Sequence, residues 1–214
     1  MVILKENIIK QCEPGDILLT CNPAGLGKLI NFGQGIEDGG QTSKYGHVAI
    51  FAKRVGTQWI TSAEIFESVM RISKNSINNY HEQDICVIRH TKMTQKKFYK
   101  GREEILDNIG QIYPVHRIVL HGFDMINSWI KRAVFRRKAP LKFRYMKLMP
   151  MDWPVCSELG AQFIHTAGLQ GGWERKKKGW RGVNPDDFDD ARINRPELWT
   201  TVLEGQYINP NKIK

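Results

Sequence analysis

Residues 154–168 read P-V-C-S-E-L-G-A-Q-F-I-H-T-A-G, and this stretch predicts a helix that begins at Cys156. Pro154 suits a position just before a helix, and Gly168 suits its C-terminal cap. In the first turn, Cys156 is surrounded by backbone N–H groups that lack intrahelical acceptors and lies at the positive end of the helix dipole. Both effects favour a thiolate. Position alone leaves two interpretations open, a nucleophile or a small apolar core residue.

Upstream of this helix, apolar runs between turn-forming residues predict a sheet. Strands are expected over residues 16–21, 47–53, 58–64, 69–73 and 85–89, the last four as an antiparallel meander. His47 opens one of these strands, where an imidazole could act as a base for Cys156 or serve only in packing. Glu64 ends the next predicted strand, where its carboxylate could fix the tautomer of His47 or be a surface charge. Glu67 competes for that role but is expected on the opposite face of the strand.

The order of these motifs resembles a known family. The chain reads G-D-I-L-L at residues 15–19, Y-G-H-V-A-I at 45–50, A-E at 63–64, S-V-M-R-I at 68–72, V-I-R at 87–89 and V-C-S-E-L at 155–159. In this order and with these motifs, the chain is similar to the circularly permuted NlpC/P60 papain-like hydrolases of the YiiX type. The histidine strand precedes the cysteine helix, whereas in ordinary papain-like enzymes the cysteine comes first. Residues 182–188, G-V-N-P-D-D-F, also resemble the closing segment of that family.

The resemblance implies an α+β fold in which a small antiparallel sheet or open barrel packs against the helix that carries the cysteine. It makes Cys156 the nucleophile, His47 the base and Glu64 the residue that orients His47. The whole chain, residues 1–214, is expected to be one domain. A basic insertion is expected at about 129–153 and a loop-rich tail at about 170–214, with further helices at about 94–112 and 115–134.

Composition limits the partners. Lys and Arg number 32 against 22 Asp and Glu, giving a formal charge of +10. Such a charge favours an anionic polymer, a lipid surface or nucleic acid. The basic residues around Arg136, Arg137 and Lys138 could form such a binding surface or a solvated rim.

Two other classes of site are not supported. Asn22 and Leu29 replace the first glycine and the hydroxyl residue of a nucleotide-binding P-loop. His116 and His121 are five residues apart, so they do not share one face of a helix. No cofactor and no metal are therefore expected.

Four cysteines without a C-x-x-C pair indicate free thiols in a reducing compartment. The start of the chain lacks the pattern of a signal peptide, and no apolar run is long enough to cross a bilayer. The sequence therefore predicts a cytoplasmic protein, or a virion-associated one if the gene comes from a phage.

Three functions remain open. The first is a cysteine amidohydrolase or peptidase that cleaves amide, peptide or thioester bonds through an acyl-enzyme, with cell-wall peptides among its substrates. The second is an acyltransferase or lipid-acting thioesterase with the same triad. The third is a non-catalytic anion-binding or virion structural protein.

Overall fold

A computed structural model describes residues 1–21, 44–53, 64–68, 72–111, 156–173, 180 and 183–209. The elements in chain order are β1 (Val2–Leu4), α1 (Lys5–Gln11), β2 (Ile17–Thr20), β3 (His47–Lys53), β4 (Glu64–Ser68), β5 (Ile72–Ser76), a 3-10 turn (Ile77–Tyr80), β6 (Asp84–His90), α2 (Gln95–Asp107), α3 (Cys156–Thr166), α4 (Pro185–Asn194) and β7 (Trp199–Ile208). The α+β prediction is confirmed.

The strands form one sheet in the order β1-β7-β6-β2-β3-β4-β5. β1 pairs with β7 in parallel, and the other neighbours are antiparallel. Strands β3, β4 and β5 make the predicted meander. β6 departs from it, because it pairs with β2 and β7 rather than with β5.

Apolar side chains cover both faces of this sheet. One face carries Ile17, Leu19, Val48 and Ile50, which pack with residues of α2, α3 and α4. The other face carries Leu18, Ala49, Phe51, Ile85 and Val87, which pack with residues of α1 and the 3-10 turn. Successive side chains of β2 and β3 therefore enter two different cores in turn. This explains why both strands are continuous apolar runs in the sequence.

Local signals set the ends of the helices. Thr94 caps α2, its hydroxyl accepting a hydrogen bond from the Lys97 N–H at 3.3 Å. Helix α3 ends at Thr166, and the predicted cap Gly168 follows it with φ +70° and its N–H donating to the His165 carbonyl. Asn184 caps α4 by accepting from the Asp187 N–H at 2.8 Å.

The tail differs from the expected loops. It contains α4 and the ten-residue strand β7, which lies inside the sheet between β1 and β6. A bulge explains why β7 is hard to detect, because Val87 pairs with Leu203 while Ile88 pairs with Thr201. The extra residue, Val202, reverses the in–out alternation partway along the strand.

The predicted basic insertion at 129–153 and the predicted helix at 115–134 lie outside the described residues. Among those that are described, no helix is long and apolar enough to cross a membrane.

Helices α2 and α3 touch at a glycine. A Cβ on Gly101 of α2 would lie 2.6 Å from Cδ2 and 2.9 Å from the backbone oxygen of Phe163 in α3. Neither helix can keep its position if that Cβ is present, because part of the obstacle is backbone.

We therefore expect Gly101→Ala to lower the free energy of unfolding by about 1–3 kcal/mol, although alanine is the better helix former. Urea unfolding measures the change. Lys100→Ala, at the neighbouring exposed position, is the control and should change stability by less than about 0.5 kcal/mol. Equal stability of the parent and Gly101→Ala would show that the two helices are not so closely packed.

Candidate active site

Cys156 is the first residue of α3 and is 5% exposed. Its sulfur accepts hydrogen bonds from the backbone N–H groups of Val48 and Ser157, and it lies within hydrogen-bonding reach of the His47 side chain. The structure thus brings together the thiol and the imidazole that the sequence singled out.

The environment of the sulfur favours its ionised form. Burial alone would raise the pKa of the Cys156 thiol. The charge of His47, the hydrogen bond from His47 and the two backbone N–H groups together outweigh burial, so the pKa of Cys156 lies below its usual value. A thiolate paired with an imidazolium is a strong nucleophile at neutral pH.

Two contacts fix the start of α3 against the rest of the fold. The Ser157 hydroxyl donates to the Val183 carbonyl at 2.7 Å, just before α4. A Cβ on Gly160 would lie 3.0 Å from Val48 Cγ1 and 3.1 Å from Phe188 Cζ, so the helix lies very close to β3 and α4. These contacts hold the sulfur of Cys156 beside the first residues of β3.

A polar network holds the segment that enters β3. The hydroxyl of buried Tyr45, two residues before His47, donates to Glu204 Oε1 of β7 at 2.9 Å. Arg192 of α4 donates to Glu204 Oε2 at 3.2 Å, and Lys44 donates to Oε1 at 3.1 Å. Sequence patterns could not reveal this network, because its members are up to 160 residues apart.

The register of the sheet separates Glu64 from His47. Glu64 pairs with Lys53, six residues along β3 from His47, which is roughly 20 Å at about 3.3 Å per residue. The register thus places Glu64 at the far end of β3 from His47, and its role as the orienting residue stays a prediction. Glu67 instead pairs with Ala49, only two residues from His47.

No family model matches this chain, and no curated protein matches. The fold is similar to that of a solved structure described as metalloprotein YiiX from Escherichia coli O157:H7, DUF1105. The two chains are 18% identical, with a TM-score of 0.53, and the match covers 91% of this chain and 98% of the other. The predicted likeness to the YiiX fold is confirmed, and membership of the NlpC/P60 class stays a prediction.

None of the four cysteines forms a disulfide bond, as expected. All four lie among the described residues, and Cys12, Cys86 and Cys156 are buried while Cys21 is partly exposed. Burial raises the pKa of the Cys86 thiol to about 12. Cys86 and Cys156 therefore have opposite tendencies to ionise, although both are buried.

The buried hydroxyl of Thr20 lies next to His47. Thr20 of β2 pairs directly with His47 of β3, and the residue is fully buried. Its Oγ1 has no hydrogen-bond partner within the parts of the chain that the structure describes. A buried polar atom without a partner costs about 1–3 kcal/mol, so Thr20 reduces the stability of the fold at this point.

We expect Thr20→Val to raise the free energy of unfolding by about 1 kcal/mol, because a methyl group replaces the unpaired hydroxyl without a change of shape. Thr91→Val is the control with the opposite sign, since the Thr91 hydroxyl donates to the Glu197 carbonyl at 2.8 Å. Denaturant unfolding of both variants tests the difference. A loss of stability in Thr20→Val would mean that the hydroxyl is hydrogen-bonded in solution.

Proposed function

We propose that this protein is a cysteine-dependent hydrolase that cleaves amide, peptide or thioester bonds through an acyl-enzyme on Cys156. The observation that carries the proposal is the pairing of a helix N-terminal thiol of lowered pKa with the His47 imidazole. A structural cysteine has no need of either feature, since buried thiols in apolar surroundings stay protonated.

The chemistry follows from these groups. The Cys156 thiolate attacks the carbonyl carbon, and the electron pair of the C=O bond moves to oxygen. The backbone N–H of Cys156, at the start of α3, is suited to stabilise that oxyanion. The carbon–nitrogen or carbon–sulfur bond then breaks, and the imidazolium of His47 gives its proton to the leaving group.

Hydrolysis completes the cycle. Neutral His47 takes a proton from water, whose oxygen attacks the thioester carbon of the acyl-enzyme. The carbon–sulfur bond breaks, the acid leaves, and the thiolate–imidazolium pair is restored. Each step uses only this chain, the substrate and water.

We assign the orienting carboxylate to Glu67. In an antiparallel pair, a residue two positions from the direct partner is a diagonal neighbour, about 7–8 Å away between backbones. Glu67 holds that relation to His47, whereas Glu64 is at the far end of β3. The register supports Glu67 over Glu64 as the residue that fixes the imidazole tautomer.

The word metalloprotein in the YiiX description raises the question of a metal here. Cys156 and His47 supply two donors, and the described residues contain no group of three or more His, Cys, Asp and Glu that could hold an ion. A zinc site uses three or four protein ligands. Among the described residues, these two donors do not fit a resident metal.

The test is turnover of a panel of amides, cell-wall peptides and acyl thioesters. We expect Cys156→Ser and His47→Ala to abolish hydrolysis, and mass spectrometry of the parent to show an acyl adduct on Cys156. Glu67→Gln should lower kcat/KM by about 10²-fold, as loss of an oriented base does.

Glu64→Gln is the matched control, because it makes the same change on the same strand away from His47. It should keep nearly full activity. Turnover that persists in Cys156→Ser would remove the cysteine mechanism. Transfer of the acyl group to an added amine or alcohol in preference to water would identify an acyltransferase that uses the same site.

A further inference from the structure

The imidazole of His47 stacks on an aromatic ring. The His47 and Tyr80 ring centroids are 6.0 Å apart, and the ring planes differ by 20°. Only 9% of His47 and 7% of Tyr80 are exposed. The two rings therefore stack nearly parallel to each other in a buried environment.

Tyr80 is held firmly. It ends the 3-10 turn Ile77–Tyr80, whose first turn is capped by Ser76, with the Asn78 N–H donating to Ser76 Oγ at 3.1 Å. The Asn78 side chain in turn accepts from the Tyr207 hydroxyl of β7 at 3.1 Å. The turn is thus tied to the sheet, and the position of the tyrosine ring is set by the fold.

The effect of the Tyr80 ring on the imidazole depends on whether the imidazole is charged. The face of an aromatic ring carries negative potential, so it attracts a cation within about 6 Å of its centroid and has less effect on a neutral group. When the proton of Cys156 passes to His47, the imidazole becomes a cation next to that face. The contact therefore favours the thiolate–imidazolium pair over the neutral thiol and neutral imidazole.

We propose that Tyr80 is a positioning residue for His47, which holds the imidazole beside Cys156 and stabilises its charged form. This inference rests on the proposed function, because it assigns Tyr80 a part in the same ion pair. Tyr80 acts through His47 and touches no reacting atom.

Other groups near the imidazole are needed to interpret its response to pH. Cys156 approaches from α3, uncharged Thr20 lies opposite on β2, and Glu67 is a diagonal neighbour on β4. Cys21 and Asp84 lie at the same end of the sheet, where the Cys21 N–H donates to the Asp84 carbonyl at 2.9 Å. Substitution of Tyr80 leaves all of these groups in place, so a change in the ion pair reports on the tyrosine.

The experiment measures the rate of iodoacetamide modification of Cys156 at about pH 6 and at about pH 10, by mass spectrometry of the labelled peptide. At the higher pH the sulfur is ionised whatever the state of His47, so the rate reports access alone. At the lower pH it depends on the ion pair. The ratio of the two rates is the readout.

Tyr80→Leu should lower the rate at pH 6 by about threefold to tenfold, with little change at pH 10, because the imidazolium loses a buried cation–π contact. Tyr80→Phe keeps the aromatic face and should retain the parent ratio. Tyr80→Met provides the same comparison as Tyr80→Leu if the leucine variant does not fold.

Leu203→Ala is the control for packing, since Leu203 of β7 is a buried residue of the same core and is separate from the hydrogen bond that ties the turn of Tyr80 to the sheet. It should lower stability and leave the ratio unchanged. If Tyr80→Leu or Tyr80→Met kept the parent's ratio of modification rates at the two pH values, the role of Tyr80 would be overturned. The hydrolase proposal would stay intact. A parent protein that reacts at pH 6 no faster than an ordinary thiol would overturn both.

Discussion

The close approach of the α3 N-terminus to the start of β3 is the constraint on which the rest of the site depends. The sulfur of Cys156 accepts the N–H of Val48 from the strand and the N–H of Ser157 from the helix. These donors and His47 can meet the sulfur together only if the helix lies almost against the sheet. Gly160 permits that approach, because any side chain there would press on Val48 and Phe188.

Distant parts of the chain maintain this arrangement. The Ser157 hydroxyl of α3 donates a hydrogen bond to the carbonyl of Val183, two residues before α4. Glu204 of β7 accepts a hydrogen bond from the hydroxyl of Tyr45, two residues before His47. Tyr80 supports the imidazole from the face of the sheet that packs with α1. Thr20, by contrast, has a hydroxyl beside His47 that finds no hydrogen-bond partner among the described residues, which costs stability, as is typical near functional sites. The fold thus surrounds the Cys156 thiol and the His47 imidazole with groups that favour their charged forms, and it does so at some cost in stability.

Local features of the fold could be predicted from the sequence. The cap at Thr94, the helix that begins at Cys156 and the strand that begins at His47 each depend on residues close in the chain. Pairing between strands could not be predicted equally well. The pairing of Glu64 with Lys53 could not be predicted, and β7 was missed because the bulge at Val202 breaks its alternation. Both features concern register, which depends on the whole sheet rather than on a window of sequence. Likewise, the fold shared with YiiX at 18% identity does not determine the reaction, which has to be argued from this chain's own site.

The ionisation of Cys156 can be measured separately from that of the other thiols. The ultraviolet absorbance of thiolate is titrated with pH in the parent and in Cys156→Ser, and the parent curve minus the variant curve isolates this one sulfur from the three other thiols. The thiolate of the parent should appear below the ordinary thiol range near pH 8.5, and His47→Ala should shift its appearance to higher pH. A thiolate that appears only near pH 8.5 or above in the parent, with no effect of His47→Ala, would contradict the proposed thiolate–imidazolium pair.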